Sequence, residues 1–168
     1  DPNVQEKLEQ LDQDYFESTG QPAFLGWELF SPTDGCRRMD CPLWIYVRKS
    51  AQRMYVYQNN QLVETWKISS GASGYETPNF DRHPNGRIYD EYSSTKYPGG
   101  DYRGLGNMPY AIFIEGGYAI HGTGESNWKY LGRRASHGCI RLHPSNAYQL
   151  NRWVRQLGIS QVWITVVD

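Results

Sequence analysis

Ala119-Ile-His-Gly-Thr-Gly124 and Ala135-Ser-His-Gly-Cys-Ile-Arg-Leu142 together contain two of the four histidines and one of the three cysteines. An apolar run at 110–114 and 118–120 comes just before His121. This pattern predicts a β-hairpin that turns at Glu115-Gly-Gly117 and ends close to His121. We therefore expect a strand end to carry His121 toward the segment that contains Cys139.

Cys139 is the candidate nucleophile of this region. A thiol attacks only as the thiolate, so it needs a base or a positive charge nearby. The residues alone leave two candidate bases, His121 and His137. Gly138 lets the backbone approach a bound carbonyl without a side chain in the way. The amides of residues 137–139 are candidates for an oxyanion hole.

The two-part pattern of His121-Gly-Thr123 followed by Ser136-His-Gly-Cys-Ile-Arg141 resembles the signature of the L,D-transpeptidase (YkuD-type) catalytic domain. Met108-Pro-Tyr110 and the Ser70-Gly71 stretch followed by Thr77-Pro78 are similar to the family as well. The sequence departs from the family after Thr77-Pro78, where Asn79-Phe80 follows and a Pro-x-Gly appears only at Pro84-Asn-Gly86.

The resemblance implies a role for each residue of the pattern. Cys139 is the nucleophile, and His121 is the base, whose other ring nitrogen needs an acceptor. Because Gly122 has no side chain, the only acceptor that it can offer to His121 is its backbone carbonyl. His137 belongs to the site and either shapes the loop or contacts substrate. A structural role remains the alternative for each histidine.

Six residues are candidates for substrate binding or for shaping the site. Arg141 borders the pocket, where its guanidinium either grips a carboxylate or braces the catalytic loop, with a structural salt bridge as the alternative. Ser136 and Thr123 are expected to be hydrogen-bonding groups and not nucleophiles. For Tyr110, core packing is the alternative to lining the cleft. The full set is Arg141, Ser136, Gly122, Thr123, Tyr110 and Trp128.

The implied reaction is peptidoglycan L,D-transpeptidation. A stem tetrapeptide would acylate Cys139 as a thioester, and an amine acceptor would then take the acyl group. The product is a cross-link between stem peptides, an exchanged D-amino acid or an attached envelope protein. With water as acceptor, the same site is an L,D-carboxypeptidase or a hydrolase of an existing wall linkage. No cofactor is implied.

Two alternatives come from other classes of protein. One is a non-catalytic cell-wall binding module that uses its aromatic residues as sugar platforms, but such a module needs neither Cys139 nor His121. The other is a zinc site built from His121, His137, Cys139 and His143. The spacing matches no zinc signature, and Arg141 places a cation at the site. We therefore expect no metal.

Composition limits the partners and the compartment. The 168 residues carry a net charge of −1, which gives no general attraction to nucleic acid. No apolar run approaches the ~20 residues of a membrane span. Cys36 and Cys41 lie in one Pro/Gly/Asp-bearing loop and predict a local disulfide, with two reduced thiols as the alternative. A disulfide indicates an oxidising compartment, and the family resemblance implies a bacterial envelope protein, periplasmic or secreted.

The chain is expected to be mainly β (α+β), with two parts. Residues 1–42 form an arm with an amphipathic helix at 2–18 and the cysteine-bearing loop. Residues 43–168 form the catalytic domain, by resemblance a β-sandwich or open barrel of mixed sheets. An antiparallel meander is predicted over 44–68, with Leu62, Trp66 and Ile68 on one face.

The remainder of the catalytic domain has three predicted parts. Residues 69–109 form a long insertion with one strand-like piece at 87–92, and this insertion is either a lid or an ordered cover. A helix begins near Pro144 and buries Ala147, Leu150, Val154 and Leu157, with Gly158 at its end. A closing strand follows at 161–167. His83 and His143 are expected at the surface.

Overall fold

The computed structural model describes residues 35–168, so the predicted helix at 2–18 lies outside the described residues. Within this range nine strands form two sheets, and one α-helix packs against the second sheet. The elements are β1 (Leu43–Arg48), β2 (Arg53–Gln58), β3 (Gln61–Lys67), β4 (Phe80–Arg82), β5 (Ile88–Tyr89), β6 (Ala111–Glu115), β7 (Tyr118–Gly122), β8 (Ile140–Leu142), α1 (Pro144–Leu157) and β9 (Val162–Val167). The predicted mainly β class is confirmed.

The first sheet has the strand order β3-β2-β1-β9-β4. The predicted meander of β1, β2 and β3 is confirmed as two antiparallel pairs. The closing strand β9 lies parallel to β1, and β4 is antiparallel to β9. β4, at the edge of this sheet, is built from the Phe80 region, where the sequence departs from the family.

The second sheet has the order β5-β6-β7-β8. The predicted hairpin of β6 and β7 is confirmed, and Gly116 adopts φ +55° in its turn. β7 and β8 are parallel, with Ile120 opposite Ile140 and His121 opposite Arg141. The strand-like piece predicted at 87–92 forms only the two residues of β5.

The helix α1 begins and ends as predicted. His143 is its N-cap, where Nδ1 accepts a hydrogen bond from the Ser145 amide, and Gly158 follows its last turn with φ +88°. Ala147, Leu150 and Val154 are buried. Leu157 is 39% exposed, so its predicted burial is wrong. Leu157 is the last residue of α1, where the helix no longer faces the core.

The larger of two apolar clusters among the described residues joins the two sheets and α1. It contains residues of β1, β2, β6, β7, β8, β9 and α1, most of them with no exposed surface. Leu62 was predicted to share the inward face with Trp66 but is 53% exposed. The β2–β3 pairing shifts between Val56 and Tyr57, so Leu62 lies opposite Tyr57 and its side chain points to the other face.

Two further predictions concern the edge of the first sheet. The disulfide between Cys36 and Cys41 is confirmed. His83 was expected at the surface, and this is wrong, because its side chain is buried. His83 Nδ1 lies 2.6 Å from the Val162 carbonyl oxygen and 3.1 Å from that of Ile159. These carbonyls give the buried ring a polar partner at the start of β9.

Candidate active site

The parallel pair β7–β8 places three reactive side chains together. His121 is opposite Arg141 in the ladder, and Cys139 lies two residues before Arg141. Cys139 lies in the bend immediately before β8 and therefore adjoins the His121–Arg141 pair. All three line one cavity of about 640 Å³. The structure therefore brings the predicted nucleophile and His121 to one site.

His121 is held as a neutral ring. It is 5% exposed, and Nδ1 lies 2.5 Å from the Gly122 carbonyl oxygen. A carbonyl only accepts, so Nδ1 carries the hydrogen and Nε2 keeps its lone pair. Burial lowers the pKa of His121 to about 4, against the opposing effect of the Gly122 carbonyl. His121 is therefore ready to accept a proton at neutral pH.

The thiol of Cys139 is partly buried and free of any disulfide. Its Sγ lies 3.5 Å from the Gly117 carbonyl oxygen. Burial raises the pKa of Cys139, while the Ala119 amide and the charge of Arg141 act in the opposite direction. The resting pair is therefore a neutral thiol and a neutral imidazole, and the proton must move when substrate is attacked.

Ser136 holds the loop that carries Cys139. Its Oγ donates to the Cys139 carbonyl oxygen at 2.5 Å and accepts from the Gly138 amide at 3.1 Å. Gly138 has φ +124°, and a Cβ there would lie 3.1 Å from the Tyr118 ring. The Gly138 amide already donates to Ser136 Oγ, so the amides of His137 and Cys139 are the remaining candidates for the oxyanion hole.

Thr77 is a structural residue whose role the sequence did not reveal. Its buried Oγ1 donates to the Gly138 carbonyl oxygen at 2.7 Å and accepts from the Gly71 amide at 2.9 Å. Lys49 donates to the Thr77 carbonyl oxygen at 2.6 Å. The only sequence signal was the likeness of Ser70-Gly71 and Thr77-Pro78 to the family. These bonds make that stretch a brace for the catalytic loop.

Arg141 lacks a carboxylate partner among residues 35–168. Its Nη1 donates to the Ala135 carbonyl oxygen at 3.3 Å, which braces the catalytic loop. The structural salt bridge is not formed within this range. The described lining of the cavity also contains no Asp or Glu. By contrast, the partly buried Arg152 is paired with Asp90 through two hydrogen bonds of 2.6 and 2.8 Å. The remaining donors of Arg141 are thus suited to an incoming carboxylate.

The other side of the cavity comes from the long insertion. Residues 94–99, which we call the roof segment, line it. Asn107 holds this segment by donating to the carbonyl oxygens of Tyr97 and Gly99, both at 3.0 Å, and by accepting from the Ser94 amide. His137 also lines the cavity, with an exposed ring that stacks on Tyr97.

Two residues predicted to line the cleft do not line this cavity. Tyr110 packs its ring against Tyr148, with centroids 5.2 Å apart. Trp128 donates through Nε1 to the Thr123 carbonyl oxygen at 2.8 Å and lies against the ring of His143. Thr123 does line the cavity, and its Oγ1 accepts from Asn127 at 2.9 Å. Trp128 therefore contacts the site through Thr123, whereas the ring of Tyr110 packs against α1.

Gly122 is closely packed at the end of β7. A Cβ at this position would lie 3.1 Å from Pro144 Cα and 3.2 Å from Pro109 Cγ. The Gly122 amide donates to the Pro109 carbonyl oxygen at 2.8 Å. Its contribution to the site is the carbonyl that orients His121.

Within 35–168, no group of three or more His, Cys, Asp or Glu side chains is arranged to hold a metal ion. Over the same residues, no helix is both long and apolar enough to cross a membrane.

Comparison with known proteins adds a family and a set of similar folds. The model of the L,D-transpeptidase catalytic domain, YkuD, matches residues 42–164. A curated relative, the putative L,D-transpeptidase YkuD of Bacillus licheniformis, is 28% identical over 122 residues, which are 69% of this chain and 63% of that protein.

Solved structures share the fold at low sequence identity. An L,D-transpeptidase from Stackebrandtia nassauensis has a TM-score of 0.60 at 20% identity and covers 82% of this chain and 60% of its own. L,D-transpeptidase 1 from Mycobacterium tuberculosis has a TM-score of 0.54 at 24% identity and covers 76% and 62%. The chain thus spans less than two thirds of the length of these relatives.

Proposed function

Because the chain belongs to the L,D-transpeptidase catalytic domain family, we propose that it transfers acyl groups between peptidoglycan stem peptides through a thioester on Cys139. One observation carries the proposal: Cys139, immediately before β8, lines the same cavity as His121 and Arg141, which lie opposite each other in the β7–β8 pair. The donor is a stem tetrapeptide, and the acceptor is an amine on a second stem peptide, a free D-amino acid or an envelope protein.

The first half-reaction forms the thioester. His121 Nε2 takes the proton of the Cys139 thiol as the sulfur attacks the carbonyl carbon of the third residue. The amides of His137 and Cys139 stabilise the oxyanion. The bond to the terminal D-amino acid then breaks, and His121 returns the proton to the leaving amine. Arg141 binds the carboxylate of that terminal residue.

The second half-reaction transfers the acyl group. The acceptor amine attacks the thioester carbonyl, His121 takes a proton from the amine, and the carbon–sulfur bond breaks. The proton then returns to the sulfur, which regenerates the neutral resting pair. Both half-reactions begin with a neutral His121, and the lowered pKa keeps the ring in this form at neutral pH.

The disulfide supports a place in the cell envelope. Disulfides persist in oxidising compartments, of which the bacterial periplasm and the extracellular space are examples. The Cys36–Cys41 bond fits this setting, where peptidoglycan is also located. We propose a periplasmic or secreted enzyme.

The test is incubation with purified disaccharide-tetrapeptide, followed by mass spectrometry of the products. The proposal predicts cross-linked dimers together with release of the terminal amino acid, and neither product with Cys139→Ala. Tripeptide without dimers would instead identify a carboxypeptidase. No change in monomers or in cross-linked or protein-bearing wall would contradict acyl transfer and favour a binding module.

A further inference from the structure

The surroundings of His137 differ from those expected for a catalytic base. Its exposed ring stacks on Tyr97 with centroids 4.2 Å apart and an angle of 11°. The ring of Tyr75 meets it edge-on at 5.1 Å, and Tyr75 also meets Tyr97 edge-on at 6.2 Å. These three rings form what we call the ring cluster.

The ring cluster joins three separate segments of the chain. Tyr75 lies in a turn that is fastened to the catalytic loop, because the Ala72 amide donates to the Ser136 carbonyl oxygen at 2.9 Å and Thr77 donates to Gly138. His137 belongs to the catalytic loop itself. Tyr97 belongs to the roof segment. Two rings of the cluster are thus anchored beside Cys139, and the third is carried by the roof.

Within residues 35–168, no hydrogen bond or ion pair joins the roof segment to the catalytic loop at 135–142. The hydrogen bonds of the roof segment lead to Asn107 or stay inside the segment, as from the Tyr97 amide to Ser94 Oγ at 3.0 Å. The ring cluster therefore provides the specific contact that holds the roof against the loop bearing the nucleophile.

We infer that His137 is a positioning residue, whose ring holds the roof segment over Cys139 and so favours an amine over water as the acceptor. This inference rests on the proposed function. An amine and water compete for one thioester, and either breaks the carbon–sulfur bond, giving an amide or a carboxylic acid together with the thiol. A closed roof limits the access of water to the thioester carbonyl.

Ring stacking accounts for the role without proton transfer. An aromatic pair adds a modest stabilising free energy beyond that of its buried area, so losing the stack lowers the closed-to-open ratio of the roof by about 2- to 10-fold. A planar carbocycle at position 137 preserves the stack but has no titratable nitrogen. His137→Phe and His137→Ala therefore separate a ring that positions from a ring that transfers protons.

The experiment measures the ratio of cross-linked dimer to hydrolysed tripeptide at a fixed concentration of acceptor amine. We expect His137→Ala and Tyr97→Ala each to lower this ratio about 2- to 10-fold. His137→Phe should stay within about twofold of the parent protein. Tyr130→Ala, which removes a partly exposed ring outside the cavity lining, is the matched control and should leave the ratio unchanged.

A second measurement is independent of turnover. The rate at which iodoacetamide alkylates Cys139 should rise about 2- to 10-fold in His137→Ala and Tyr97→Ala, but not in His137→Phe or Tyr130→Ala. Equal alkylation rates in all variants, or a ratio that falls as far in His137→Phe as in His137→Ala, would overturn the inference. Absence of transfer by the parent protein would instead contradict the proposed function, and the alkylation series would still decide the role of the ring.

Discussion

The two sides of the cavity are built in different ways. On one side, His121 and Arg141 lie opposite each other in the β7–β8 ladder and Cys139 comes immediately before β8, next to residues such as Ile120 and Ile140 that have almost no exposed surface. On the other side, the roof segment has no regular secondary structure and is held by Asn107 and by the ring cluster. We infer that the strands determine the chemistry and the roof determines the choice of acceptor.

The largest effect should come from His121 on the strand side. His121→Gln removes the proton acceptor and should lower kcat by about 10²- to 10⁴-fold. In the parent protein, activity is lost only as pH falls through the pKa of His121, because protonation blocks Nε2. The acid limb of kcat/KM should therefore lie near pH 4, the value to which burial lowers this pKa.

An acid limb near pH 6.5, the ordinary value for histidine, would show that His121 is solvated in the working enzyme. The pH profile should be measured on a donor whose own groups do not titrate between pH 4 and 7. Thiol titration of His121→Gln would verify that Cys139 stays intact.

Substitution of Arg141 tests substrate binding on the strand side of the cavity. Arg141→Gln should raise KM for the donor by about 10- to 100-fold, because a hydrogen bond to a charged group is worth about 1.5–3 kcal/mol. Steady-state kinetics with a donor whose terminal carboxylate is amidated supplies the control. The parent protein should lose a similar factor with that donor, whereas Arg141→Gln should be indifferent to the change. Additive losses would mean that Arg141 binds no carboxylate.

Thr77 lies where the brace meets the catalytic loop, so its effect should be smaller and should appear first in stability. Thr77→Val leaves the Gly71 amide and the Gly138 carbonyl without their partner and should cost about 1–3 kcal/mol in the free energy of unfolding. Thr77→Ser keeps the hydroxyl and is the matched control. Denaturant unfolding measures both. Equal stabilities of the valine and serine variants would show that the brace is dispensable.

The strand side was largely predictable from sequence. Alternating apolar residues and a Gly-Gly turn are local signals, so the hairpin leading to His121 was predicted correctly. The Gly at position 122 limits the partner of His121 to a carbonyl, and the structure has that contact. The disulfide was also predicted, because both cysteines lie in one short loop.

The following errors came from features that the local sequence pattern does not reveal. The shift in the β2–β3 pairing turns Leu62 to the opposite face of β3 from the one predicted. His83 is buried, with carbonyl oxygens near the start of β9 as polar partners. Trp128 was predicted to line the cleft, but it is absent from the cavity lining and its indole donates to the Thr123 carbonyl oxygen. The ring cluster was likewise not predicted, because nothing in the sequence indicates that Tyr97 contacts His137, forty residues later.

The most direct measurement is acid quenching of the protein during turnover of a stem tetrapeptide, followed by mass spectrometry of its peptides. The account predicts an adduct on the peptide containing Cys139, with the mass of the donor less its terminal amino acid, and no adduct in Cys139→Ala. Products that form without this adduct, or an adduct on another residue, would contradict a thioester mechanism at Cys139.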